Sequence, residues 1–160
     1  MHRADTDRLP SDTGKNGVEG TRSAESREAV TEIVELPRGL PGFPGARGFR
    51  LRELPRCEGR FLLLELLDEE PASLIVMPTE PGAVPLAEAD VDEVREALEI
   101  APADLCLLLV VTLSRDGDGV QAYVNLRAPV FLDTRRRLAA QVVLPDPGYA
   151  LRHPLARRAA

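Results

Sequence analysis

The chain has 160 residues, 44% of them hydrophobic but only 4% aromatic, with no Trp and a formal net charge of −6. That length suits one domain whose core is aliphatic, built from Leu, Val and Ala. The acidic balance argues against a protein that grips a phosphate backbone through clustered Lys and Arg, and the longest apolar run, Leu105 to Val111 continuing to Leu113, is too short to span a bilayer.

Residues 1–29 are polar, with Gly14, Gly17 and Gly20 among many Asp, Ser, Thr and Arg. Such a segment buries too little apolar surface to offset its ordering entropy, so a disordered tail is expected there, ahead of one β-rich domain over residues 30–156. The tail holds no apolar run of the secretory kind. Cys57 and Cys106 are the only cysteines. Their spacing alone does not exclude a disulfide, but without a signal peptide the expectation is a soluble cytoplasmic protein with two free thiols.

Residues 30–36 alternate roughly and read as a first strand. Pro37-Arg-Gly-Leu-Pro-Gly-Phe-Pro44 forbids helix and ladder alike, and Leu40 and Phe43 are expected to plug this loop onto the core. Residues 49–54 alternate strictly, placing Phe49 and Leu51 on one face and arginines on the other. Residues 61–67 form a further strand, closed by the acidic turn Asp68-Glu-Glu-Pro71, with residues 73–77 as its hairpin partner. A helix is expected over 90–99, where Val91, Val94 and Leu98 share a face, with Asp90 as N-cap and Glu93 completing a weak capping box. Pro102 stops that segment. The run 105–113 reads as a central strand buried on both faces. The turn 114–119 links it to a strand over 120–126, and strands 129–132 and 138–144 close the domain. Seven or eight short strands with one helix suggest a mainly β fold: a small antiparallel β-barrel-like domain.

No motif carries catalysis. Asp116-Gly-Asp-Gly119 has fragments of a calcium loop but lacks the remaining oxygen ligands and flanking helices, so a hairpin turn is the better reading. His153 is the only histidine outside the tail and reads as part of a C-terminal latch, its ring bonded locally, rather than a general base. Cys106 lies within an apolar run and reads as a structural thiol. There is no nucleophile elbow and no Gly-rich phosphate loop, and no metal or other cofactor is expected. Arg135-Arg136-Arg137 is a solvated turn by default, with contact to an acidic partner segment as the sharper alternative. Charge is lopsided along the chain. From Leu64 to Leu105 there are twelve carboxylates and one arginine, whereas Gln121 to Ala160 holds seven arginines and two aspartates. This describes either solvated loops that keep the protein soluble, or an acidic face that steers a basic partner and repels RNA phosphates.

Residues 121–155 carry the most informative pattern. They contain Asn125-Leu-Arg-Ala-Pro129 followed by Val-Phe-Leu, the Arg-rich turn 135–137, Gln141-Val-Val-Leu144, and Tyr149-Ala-Leu-Arg-His-Pro-Leu155. In that order these pieces resemble the C-terminal signature of the flagellar assembly factor FliW family. Gly39-Leu-Pro-Gly-Phe43, Leu66-Leu-Asp68 and Pro71-Ala-Ser-Leu-Ile-Val-Met-Pro78 extend the resemblance over about residues 30–155. The chain departs from the family at Phe61-Leu-Leu-Leu, where an aromatic-rich strand is usual, and in the turn 135–137, which lacks the usual glycine.

The resemblance implies a small β-rich protein without enzymatic activity. It implies binding to the translational repressor CsrA away from its RNA groove, relief of flagellin mRNA repression, and competing binding to flagellin. Taken with the charge map, it singles out Asp68, Glu69, Glu70, Asp90, Asp92, Asn125, Arg136 and Arg137 as candidate partner-binding residues, on a protein that is monomeric when free and touches neither nucleic acid nor membrane. The competing readings are a flagellin-specific chaperone with no role in translation and a small β-barrel enzyme.

Overall fold

The computed structural model describes residues 32–156, so the tail expected over 1–29 lies outside the described residues. Nine strands and one helix follow in the order β1 (Val34–Glu35), β2 (Gly48–Glu53), β3 (Leu62–Leu67), β4 (Ser73–Thr79), α1 (Glu88–Ala97), β5 (Leu105–Asp116), β6 (Gly119–Val124), β7 (Val130–Asp133), β8 (Leu138–Gln141) and β9 (His153–Pro154). The sheet runs β4-β3-β2-β1-β8-β7-β5-β6-β9, and β4 also pairs with β5. Strands β4, β3, β2, β1, β8, β7 and β5 therefore close into a ring, which leaves no open edge within it. The β-barrel-like expectation holds with one correction: the ring is not wholly antiparallel, because β1 lies parallel to β8, Glu35 opposite Leu138.

Strand β5 explains why one apolar run serves two layers. Its side chains alternate. Leu108 points into the ring with Val34, Phe49, Leu64, Val76, Val130 and Leu132. Leu105, Leu107, Leu109 and Val111 point outward, into a second core with Val91 of α1, Val124 and Phe131. One edge of β5 pairs with β4 through Leu107–Val110; its first half pairs with β7 and its second half with β6. The expected central strand is thus buried on both faces, and the residues that make it so belong to different cores.

Several boundaries differ from expectation for local reasons. β1 keeps two residues of the expected 30–36, since Pro37 follows at once. β4 runs on through Pro78 to Thr79. Beyond Val76 it has a ladder on the β5 side alone, where a residue without an N–H fits. β5 continues to Asp116, so the turn shrinks to Gly117-Asp118, with Gly117 at φ 60° in the first central position of a two-residue hairpin. β6 stops at Val124 because Asn125 turns the chain: its Oδ1 accepts the Arg127 and Ala128 N–H groups at 3.0 and 3.2 Å. β8 ends at Gln141, although Val142 and Leu144 still donate to the Pro129 and Arg127 carbonyls.

The Pro-rich loop behaves as expected. Leu40 is buried, Phe43 packs on the ring core, and the two form a bridge. Gly39 allows it, with φ 66° and a position where a Cβ would stand 3.0 Å from the Phe43 and Pro44 carbonyl oxygens. The C-terminal latch is also present, as a strand. β9 pairs with β6, Leu155 donates to the Ala122 carbonyl, and the Gln121 side chain donates to the Leu155 carbonyl at 2.8 Å. Arg152 lies over the Tyr123 ring, 4.5 Å from its centroid.

Candidate functional site

The charged residues singled out by sequence fall on three parts of this frame. Asp68, Glu69 and Glu70 make the β3–β4 turn. Asp68 accepts the Glu69 N–H at 2.6 Å and rests against Gly45, where an added Cβ would stand 3.0 Å from both its oxygens. Glu69 and Glu70 are exposed, and their side chains make no hydrogen bond or ion pair among the described residues. Asp90 and Asp92 lie on α1, which packs against the outward face of β5. The turn precedes β4, whereas the connection to α1 leaves the other end of that strand. Among the described residues, no hydrogen bond or ion pair joins the two acidic groups.

Helix α1 begins earlier than expected and its cap is different. The N-cap is Ala87, with no side-chain cap of its own, and Asp90 is the third helical residue. Tyr149 supplies the missing partner from the C-terminal arm. Its hydroxyl accepts the Ala87 N–H at 3.0 Å and donates to the Asp90 carboxylate. That bond to Asp90, reinforced by burial, raises the Tyr149 pKa above the ordinary tyrosine value, since the phenolate would lose the donor and face the carboxylate. Asp92 pairs with Arg95 at 3.1 Å, and Arg95 also donates to the Ile100 carbonyl. We expect Tyr149→Phe to destabilise the fold by about 1 kcal/mol, through an unmet N–H at the helix entry. Urea unfolding would measure this, and an unchanged midpoint would refute the capping role.

The other end of α1 is held by the Arg-rich turn. Asp133, 3% exposed, is the only buried polar residue among the described residues. Its carboxylate accepts the backbone N–H groups of Arg135 (3.0 Å) and Arg136 (2.8 Å) and the Arg136 Nε (2.6 Å). Arg136 Nη2 then donates to the carbonyls of Leu98, the C-cap of the helix, and of Glu99, the left-handed residue after it. Burial alone would raise the Asp133 pKa, but the Arg136 backbone N–H, its guanidinium and the Arg135 N–H outweigh it and hold the carboxyl below the usual range. Arg137 reaches Glu32 at 2.8 Å in an exposed pair of little energetic weight. It takes φ 55°, so a turn without the family's glycine still demands a left-handed residue.

Asp90, Asn125 and Arg136 therefore have polar groups engaged inside the fold, while Glu69 and Glu70 face outward. Sequence reasoning missed Asp133 and Tyr149. The first had a readable signal, an Asp opening a polar turn whose N–H groups it can accept. The second opens the signature 149–155, but nothing local revealed its capping role, because its partners lie some sixty positions earlier in the chain. Cys57 and Cys106 are both free. Burial pushes the Cys106 thiol up, which disfavours the thiolate a nucleophile needs. No helix among the described residues is long and apolar enough to cross a membrane.

A family profile described as FliW protein matches residues 17–155 and so reaches back into the segment read as a tail. A flagellar assembly factor FliW of Geobacter sulfurreducens is 31% identical over 144 residues, covering 89% of this chain and 88% of that protein. Its namesake in Clostridium botulinum is 28% identical over 141 residues, covering 86% and 94%. A crystal structure of the flagellar assembly factor FliW superimposes with a TM-score of 0.58 at 26% identity, over 80% of this chain and 88% of that one. Sequence signature, ring architecture and these matches agree: the chain belongs to the FliW family of flagellar assembly factors.

Proposed function

We propose that this protein is a cytoplasmic, non-enzymatic antagonist of the translational repressor CsrA and that it also binds flagellin. CsrA occupancy would free flagellin mRNA, and flagellin would compete for the antagonist. The observation that carries this reading is the exposed, unpaired acidic surface of the β3–β4 turn in a chain of net charge −6 that belongs to this family. A repressor must be basic where it holds RNA. An acidic body docked beside that groove disfavours RNA by like-charge repulsion without filling the groove, which is a coupling between two sites. The same charge keeps this protein off nucleic acid. Its closed ring, and the capping of the end of β6 by β9, suit a monomer when free.

Of the acidic residues, Glu69 and Glu70 are the ones to change, since Asp68 is packed against Gly45. We expect Glu69→Lys with Glu70→Lys to weaken CsrA binding by about tenfold, equivalent to about 1.4 kcal/mol, with the loss largest at low salt. Calorimetric titration against purified CsrA checks this, and unchanged affinity at both low and high salt would move the contact elsewhere. If saturating protein leaves CsrA–RNA affinity untouched while flagellin still binds, the protein is a flagellin chaperone and the antagonist reading fails.

A further inference from the structure

The ring has no open edge, but β5 outlasts the ring. On one side β4 accompanies it only as far as Val110, with Val76 opposite. On the other side β6 follows it from Val111 to Asp116. Strand β4 meanwhile turns to β3, and its Ser73 and Leu74 pair there alone. The two strands therefore part as a fork. One prong ends in the β3–β4 turn, the other in the β5–β6 turn at Gly117-Asp118.

The inner edge of the second prong is bare. The Asn125 N–H donates to the Val110 carbonyl at 3.0 Å, so Val110, and with it Thr112, Ser114 and Asp116, aim their backbone groups at β6. Leu113 and Arg115 aim theirs the other way, and no strand among the described residues meets them there. Side chains alternate too. Leu113, Val120 and Ala122 share the face that continues the outer core, and Leu113 and Val120 are 51% and 58% exposed. Between Val111 and Ser114 this edge has neither charge nor proline, and its register with β6 is unbroken, so the usual devices that blunt an edge are missing there.

Charge at the fork is one-sided. Asp68, Glu69, Glu70, Asp116 and Asp118 lie at or next to the two tips, with Arg47 and Arg115 as the nearest arginines in the pairing. Arg50 and Arg52 both lie beside Glu65, the latter at 2.8 Å.

We propose that the free edge of β5 docks an extended segment of a protein partner, added as a strand beside Leu113 and Arg115 and carrying basic residues at its ends. The bare backbone groups fix the conformation of the occupant, since an extended chain returns their hydrogen bonds in order. The exposed Leu113 favours an apolar residue directly opposite it on the outer face. The tips favour Lys or Arg. A second copy of this chain fails that last condition, because it brings another set of carboxylates to the same tips. RNA fails it through its phosphates. The docking mode deepens the antagonist reading, resting on the same acidic turn, and a peptide probe in place of CsrA lets each fail without the other.

The probe is fluorescein-labelled Lys-Thr-Val-Thr-Val-Thr-Lys, titrated against the full chain by anisotropy. We expect saturable binding that weakens about tenfold or more when both Val nitrogens are methylated, since those N–H groups would meet β5, and when both Lys become Glu. Arg115→Pro should weaken it as much. The Arg115 N–H faces away from β6, so proline removes an outward donor without breaking the β6 ladder. Arg115→Ala should not weaken binding, which separates backbone from side chain, and Glu69→Lys with Glu70→Lys should weaken it. The methylated peptide reads the same contact on unaltered protein, should Arg115→Pro fail to fold. No binding at millimolar peptide, equal binding of the methylated or the acidic peptide, or indifference to Arg115→Pro in a folded variant would overturn the proposal. So would dimerisation of the free chain that the same variant abolishes, since the edge would then belong to a second copy.

Discussion

Phe131→Ala should unfold most of what holds α1 to the barrel, lowering stability by about 3–5 kcal/mol. Phe131 is fully buried in the outer core, two residues before the Asp133 that anchors the Arg-rich turn. Its neighbours cannot collapse into the void, because β5 and β7 are fixed from the ring side by Leu108, Val130 and Leu132. Domains of this kind have about 5–15 kcal/mol in total, so the loss is a large share. Urea unfolding should show a lower midpoint with little change in slope. Val120→Ala, at a position 58% exposed, should stay within about 0.5 kcal/mol. A cost below about 1 kcal/mol at Phe131 would mean the outer core is too loosely packed to position the turn.

Asp133→Asn is expected to cost about 3 kcal/mol at neutral pH, although it changes one atom. The amide keeps one acceptor for the turn N–H groups but turns an NH₂ toward the Arg136 Nε. It also removes the charge that fixes the guanidinium under the helix carbonyls. The effect carries a pH signature. Because the folded carboxyl titrates below its unfolded counterpart, its stabilisation is complete above the unfolded value and is lost as pH falls through the folded one. Wild type and variant should therefore differ at neutral pH and draw together only in acid strong enough to protonate the folded carboxyl. A gap that stays constant down to that acidity would show that packing, and not ionisation, makes Asp133 matter.

Much of the architecture was legible because it is local. The alternation in residues 49–54, the prolines of 37–44 and the double-sided run at 105–113 each have one physical solution, and the chain adopts it. The strand ends erred where a side chain from nearby redirects the backbone, as at Asn125, or where pairing outlasts the apolar pattern, as in β5 beyond Leu113. What escaped was non-local. The parallel pairing of β1 with β8 leaves no trace in either segment, since two residues carry no period. The helix start depends on Tyr149, and no capping pattern near residue 87 encodes it. The run of carboxylates between Leu64 and Leu105 suggested one acidic face. Folding distributes it between a turn and a helix at the two ends of β4, and uses Asp90 for structure.

The parallel β1–β8 contact also fixes when this protein can become itself. Residue 35 must meet residue 138 before the ring exists, so a nascent chain still threaded in the ribosomal tunnel carries an unsealed sheet with two bare margins. Nothing synthesised before β8 can hide them, and β6 lacks its partner until β9 has emerged. Competence to meet any partner therefore arrives late, once both β8 and β9 have emerged.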